Sequence, residues 1–385
     1  MRFSFRLSEL LNHMPDPKRR PGTIKAICDF TGLDRHQVSA LLKNESKYVP
    51  LESLSKICDY LVEHGFATAD QLPGALFAIE PENFWELLAG RRRLEICLGV
   101  RVDESWPEGA WVVASDSLLM GRLLNSVTTL GGTAKYRQTM PTAVPATTPV
   151  SAPLPHPEEF RQTMVWAPGQ RPDEECEGRA WDAYNEFDAV TGDKAIVGLG
   201  SCKSNPLIEI MVANTFGVPA FKSEDGIADV KDRTCPFFLR YRQDRLPHPP
   251  SLQGGTEIAA NLKSDVAGIY YEKKDGSWAC CKWDEKKSES AIVFYTYREA
   301  QGRLEMVLGG FTGRGTRLLS RTLANQADSF WPPTYQGHGL QVGAFIVEYS
   351  LRPREAQTHI PAPPSSATTK IIRIDKEVIA RRLDG

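Results

Sequence analysis

Apolar positions follow two different rhythms along this chain. Between residues 6 and 65 they recur three and four apart: Leu7, Leu10, Leu11 and Met14, then Ile24, Ile27 and Cys28, then Val38, Leu41 and Leu42, then Leu54, Ile57, Cys58 and Leu61. Such spacing lines apolar side chains along one face of a helix, so four short amphipathic helices are predicted here. Thr23 and Asp34 stand where the second and third would start, each with a side-chain oxygen able to accept a free backbone N–H. Gly32 lies at the reversal between them, where glycine reaches positive φ without steric cost. Cys28 is small and falls where these two helices would cross. Pro15-Asp16-Pro17 ends the first helix, and Ala67–Leu72 and Glu82–Leu88 also read as helical.

Beyond about residue 100, short apolar runs alternate with helical periods. Trp111–Ala114 reads as a strand, Ser115-Asp116-Ser117 as its turn and residues 118–130 as a helix. Ala195–Leu199 is a second strand, Gly200–Asn205 its turn, and Pro206 stands at a natural first helical position. Residues 303–325 repeat the scheme, with a strand ending in Gly309-Gly310, a loop over Phe311–Gly315 and a helix from Thr316. Further strands are predicted at Phe237–Tyr241, Ala267–Tyr271, Trp278–Trp283, Ala291–Tyr297 and Gln341–Tyr349, with Asp275-Gly276 as a hairpin signal. The alternation predicts a larger α/β domain, Rossmann-like with a mostly parallel sheet. Residues 135–172, dense in Pro, Thr and Ala, read as a connector. Pro361 introduces a loose tail with an ordered patch at Ile371–Leu383. The expected organisation is an all-α head over 1–72, a ligand-sensing or dimerisation domain over 73–350 and a tail over 351–385.

The stretch Thr23–Leu42, TIKAICDFTGLDRHQVSALL, with Val49–Leu54 and Ile57–Leu61 after it, resembles the helix-turn-helix of the Cro/C1 (Xre-like) phage-repressor family. The small residue before the turn, the Gly32-Leu33 turn, Val38, Leu41 and the downstream helix all stand in that register. Cys28 occupies a place where the family usually has Ala, which leaves the packing intact. The resemblance implies binding of double-stranded DNA through Thr23, Lys25, Arg35, His36, Gln37, Ser39, Lys43 and Asn44. Arg and Gln can pair bidentately with guanine and adenine in the major groove, while Lys43 and Asn44 would lie near phosphates. His36 reads alternatively as a simple surface histidine. Lys18-Arg19-Arg20 is either a solvated loop or a backbone contact ahead of a helix start. Arg91-Arg92-Arg93 reads as a solvated triplet, or one touching DNA or an interdomain surface. A homodimer is expected, because one small head supplies few base contacts and two-fold pairing doubles them.

Charge narrows the picture little: 46 Lys and Arg against 48 Asp and Glu leave a formal net charge of -2. A uniformly basic nucleic-acid coat is excluded, whereas a small DNA-binding head on a neutral body is not. Eight cysteines lie scattered without a CxxC pair, and read as reduced, buried thiols. With no signal peptide and no apolar run near the ~20 residues needed to span a bilayer, a soluble cytoplasmic protein is expected. Cys280 and Cys281 would point to opposite faces of a strand, against joint metal ligation. Asp116, Glu209 and His338 read as caps or surface residues rather than catalytic groups, and no cofactor is expected.

Three strand-to-helix junctions carry small, hydroxyl or glycine residues, and ligands of open α/β sheets bind at the strands' carboxyl ends. The candidate ligand-binding residues are Asp116, Ser201, Lys203, Ser204, Asn205, Gly310, Thr312, Arg314, Gly315 and Thr316, with Lys203 and Arg314 adding positive charge. Neither glycine loop fits a Walker or dinucleotide fingerprint. The reading that emerges is a sequence-specific DNA-binding transcriptional regulator with a small, nucleotide-like effector. Its rivals are a nucleotide-processing enzyme with a helical accessory head, and an interaction protein whose head binds another protein.

Overall fold

The computed structural model describes residues 2–11, 23–43, 45–69, 72–73, 76–103, 106–130, 159–166, 174–190, 193–221, 235–241, 266–337, 339–351 and 368–384. They fall into two compact units, Met1–Glu82 with Tyr297–Arg303 and Gln336–Gln341, and Asn83–Thr296 with Leu304–Tyr335 and Val342–Gly385. The first holds strand β1 (Arg2–Phe5), helices α1 (Leu7–Leu10), α2 (Thr23–Thr31), α3 (Arg35–Leu42) and α4 (Leu51–Glu63), and strand β2 (Phe77–Glu80). Leu7, Ile27, Val38, Leu41, Ile57 and Leu61 meet in its core, with Ile24, Cys28, Leu42, Leu54 and Cys58 partly buried against them. Each large aliphatic side chain taken from water contributes roughly 1.5–3 kcal/mol, enough to dictate which face of a short helix turns inward. β1 and β2 pair antiparallel from Arg2↔Glu80 to Phe5↔Phe77, an unpredicted ribbon that occupies the chain just before α1.

From Asn83 onward come α5 (Glu86–Ala89), β3 (Arg93–Asp103), β4 (Trp106–Val112), α6 (Ala114–Leu130), β5 (Glu159–Trp166), α7 (Glu174–Ala189), β6 (Lys194–Leu199), α8 (Leu207–Phe216) and β7 (Phe237–Arg240). They are followed by β8 (Gly268–Glu272), β9 (Trp278–Lys282), β10 (Ser288–Arg298), β11 (Arg303–Gly310), α9 (Gly313–Gln326), β12 (Tyr335–Gly337), β13 (Leu340–Ser350), β14 (Thr368–Arg373) and α10 (Lys376–Asp384). Among the described residues nine strands form one sheet, ordered β12-β13-β10-β11-β6-β3-β4 with β14 beside β13 and β5 beside β3. A separate sheet joins β7, β8 and β9 antiparallel, its second turn at the expected Asp275-Gly276. β6 and β11 are buried along their length, and α8 buries every residue except Asn214. Strands covered on both faces lose alternation and read as continuous apolar runs.

The sheet is mixed, where a mostly parallel, Rossmann-like one was expected. β3 runs parallel to β5 and to β6, but antiparallel to β4, and β14 runs antiparallel to β13. Neighbouring β10 and β11 are joined only by Glu299–Gly302, a connection too short for anything but an antiparallel hairpin. Other local expectations change as well. Residues 159–166, inside the expected connector, are β5, while β3 and α7 had no prediction. The described part of 67–72 forms turns and no helix. α6 starts at Ala114 and α9 at Gly313, so Ser115-Asp116-Ser117 and Gly313–Gly315 are first turns of helices and not loops. The basic triplet is not uniformly solvated: Arg91 is buried with Asp193 at 3.1 Å, and Arg93 with Glu95 at 2.9 Å. The ordered patch near the C-terminus is part of the α/β unit, where Arg381 and Arg382 each hold Glu272 of β8 at 2.8 Å. Lys18–Arg20, Asn44, His338 and the Pro361–Pro364 run lie outside the described residues, as does most of the connector.

Candidate functional site

The polar edge of the head is set by its turn. Thr31 Oγ1 donates to Ile27 O at 2.6 Å and accepts Leu33 N–H at 3.3 Å, closing α2. Gly32 follows at φ +70. Asp34 then caps α3, its carboxylate accepting the N–H groups of His36 at 2.7 Å and Gln37 at 3.0 Å. Gln37 Oε1 accepts Asp34 N–H in return at 3.4 Å, completing a capping box. Val38 and Leu41 point into the core, so Arg35, His36 and Gln37 stand exposed on the first turn, with Ser39 half-buried and Lys43 exposed at the end. Arg35 makes no hydrogen bond or ion pair among the described residues. Lys25 is exposed on α2. Thr23 is the first residue of α2, not the position before it, and its side chain, like Asn44, lies outside the described residues. Gln three positions after a capping Asp is the usual sequence signal of such a box. A shallow groove of about 270 Å³ borders His36 and Gln37 alongside Tyr48 and Pro50.

In the α/β unit, the junctions β4–α6, β6–α8 and β11–α9 converge on one cavity of about 270 Å³. Asp116 lines it from the first junction, Ser201, Lys203 and Ser204 from the second, and Gly310, Thr312 and Thr316 from the third. Three other candidates do not. Asn205 is fully buried, its Nδ2 tying β3 to β6 through Cys97 O at 3.0 Å and Leu199 O at 3.1 Å. Arg314 turns away to Glu285 O at 2.6 Å. Gly315 packs beneath the Ser290 carbonyl, where a Cβ would come within 2.5 Å. Arg101, Tyr241 and Phe311 also line the cavity and were not anticipated. Phe311 lies between two of the candidates, whereas the sequence neighbours of Arg101 and Tyr241 hold no signal for this, because only packing brings β3 and the end of β7 to these loops.

Several hydroxyls are occupied in holding the walls. Ser204 Oγ receives Ser201 N–H at 3.0 Å, and Thr316 Oγ1 receives Gly310 N–H at 3.0 Å. Thr312 caps α9 and donates to Glu289 at 2.6 Å, a buried carboxyl that also accepts from the Trp283 indole at 2.9 Å and is pushed up by burial. Two cations lie on aromatic faces, Lys203 Nζ 5.6 Å from the Tyr241 ring centre and the Arg101 guanidinium 5.6 Å from that of Trp111. Tyr241 in turn stacks on Phe311 at 5.1 Å.

Asp116 is 3% exposed, and the one hydrogen bond to its carboxylate among the described residues comes from Ser115 Oγ at 3.2 Å. It is neither a cap nor a surface group. Burial pushes its carboxyl from near 3.8 up to about 6, against the smaller pull of Ser115 and the Arg101 charge. Gly200, at φ +102, passes so close that a Cβ there would meet Ser204 Oγ at 2.6 Å and Asp116 Oδ2 at 2.9 Å. Glu209 is likewise buried and not on the surface. All eight cysteines are free thiols, and burial raises Cys97 and Cys202 far from thiolate character. Among the described residues no His, Cys, Asp and Glu cluster could hold a metal ion, and no helix is long and apolar enough to cross a membrane.

No curated protein and no solved structure matches this chain. Residues 17–62, which carry α2, the Gly32 turn, α3 and most of α4, match the family model of the Cro/C1-type HTH DNA-binding domain.

Proposed function

We propose that this protein is a sequence-specific transcriptional regulator that reads duplex DNA with the first turn of α3 and senses a small anionic, nucleotide-like ligand in its α/β unit. The observation that carries the reading is Arg35, His36 and Gln37 standing exposed on a capped helix inside a stretch that matches a Cro/C1-type DNA-binding domain. Arg35 is free for a bidentate guanine contact, and the long bond of Gln37 to Asp34 N–H yields readily to an adenine edge. Thr23, Lys25, Ser39, Lys43 and Asn44 serve the phosphates on either side. Ligand in the three-junction cavity acts by differential affinity, favouring one of two arrangements of paired heads.

The test is a gel-shift titration of the full chain on duplexes it selects from a random pool. Arg35→Ala and Gln37→Ala are each expected to weaken binding about 10- to 100-fold and to relax preference at one base pair. Unchanged affinity and preference in both variants would remove α3 from the interface. A second reading, a nucleotide-processing enzyme, draws on Asp116, since a cavity carboxyl titrating near neutrality suits proton transfer. Turnover of a mononucleotide that is lost in Asp116→Asn would favour it.

A further inference from the structure

Asp116 and Arg101 are opposite charges on the walls of one cavity, yet no ion pair joins them. Arg101 is close enough to lower the proton affinity of Asp116, but its guanidinium lies over Trp111, and its Nε is enclosed without a hydrogen-bond partner among the described residues. Asp116 has only the hydroxyl of the adjacent Ser115. A buried carboxyl and a guanidinium left in this condition are costly unless something completes them. Between them the cavity supplies a second cation, Lys203, and the starts of two long helices, α6 and α9, whose first backbone N–H groups favour negative charge. The distribution is therefore asymmetric: two cations and two helix starts for an anion, and one carboxylate for a hydrogen-bond donor.

From this asymmetry we infer that the cavity takes a hydroxyl-bearing phosphomonoester, a sugar phosphate or mononucleotide, with Arg101 and Lys203 on the phosphate and Asp116 accepting from the sugar hydroxyls. The inference rests on reading the cavity as an effector site. Arg101 and Lys203 against Asp116 leave the lining side chains with a net positive charge, which a phosphomonoester takes up and a zwitterionic amino acid, neutral overall, does not. The volume of about 270 Å³ lies just below the ~300–1,000 Å³ range of ligand pockets, which suits one phosphorylated sugar unit and not a dinucleotide. Asp116 then acts as the discriminator, because a buried acceptor facing a ligand without a donor is left unpaired.

Calorimetric titration of the full chain with ribose 5-phosphate, inorganic phosphate and free amino acids tests this. Ribose 5-phosphate is expected to bind at least tenfold more tightly than inorganic phosphate, and Arg101→Ala to weaken both at least tenfold. Asp116→Ala abolishes the preference for the ester without weakening inorganic phosphate, while Asp116→Asn, which keeps an acceptor oxygen, retains part of it. Thermal unfolding of each variant shows whether it is folded, and the asparagine variant carries the test if the alanine one is not. Equal affinity for ester and phosphate in the wild type, or a preference that survives Asp116→Ala, overturns the inference and leaves an anion effector site standing. Binding of an amino acid with no phosphate binding overturns the ligand class alone. Silence towards every probe removes the effector-site reading as well.

Discussion

Asp116 makes stability depend on pH in a direction opposite to that of a salt-bridged carboxylate. Its proton is held up to about pH 6 in the folded chain but released near 3.8 once exposed. Between those values the native state binds more protons than the unfolded one, so stability falls as pH rises through the window and levels off above it. The full effect is at most about 3 kcal/mol. Urea unfolding at pH 4.5 and pH 7.5 should show Asp116→Asn gaining more stability over the wild type at the higher pH. An identical pH slope in both proteins would show that the carboxyl is better solvated than its burial implies. Asp34 and Gly32 are the contrasting cases, since their roles depend on backbone groups within a few residues and could be read from the sequence. Arg101 could not, because what makes it a wall of the cavity is the packing of its strand.

At the level of elements, β3 ties much of the α/β unit together and was missed. Leu94, Ile96, Leu98 and Val100 alternate as a strand should, but the preceding basic triplet suggested surface. On the opposite face Arg93 and Glu95 are buried, bonded to each other at 2.9 Å, and Thr163 of β5 donates to Glu95. Charges on a buried strand face are tolerated only when tertiary partners complete them, and nothing in local sequence announces those partners. Glu95→Ala takes a buried carboxylate from both Arg93 and Thr163 and should cost about 3–5 kcal/mol in urea unfolding. A loss below about 1 kcal/mol would mean that the pair contributes no more than an exposed one. The three strand-to-helix junctions were legible because glycine and hydroxyl residues mark them, although two of the helices start earlier than the apolar period indicated.

For the whole molecule, the expectation that remains is pairing. Two-fold symmetric operators need two heads, so sedimentation of the full chain should give about twice 42.9 kDa at DNA-binding concentrations, with protection of two half-sites one helical turn apart. A monomer protecting a single half-site would remove dimerisation from the reading. By itself the sequence determined the helical head, its capped turn, the outward polar edge of α3, and the existence and order of most strands. All of these follow from periodicity and from bonds between near neighbours. Only the tertiary structure decided that the sheet is mixed, that Arg91 and Arg93 are interior, and that three distant junctions enclose Asp116 and Arg101 in one cavity. Strand direction, charge burial and cavity walls depend on contacts between residues far apart along the chain, for which local patterns carry no information.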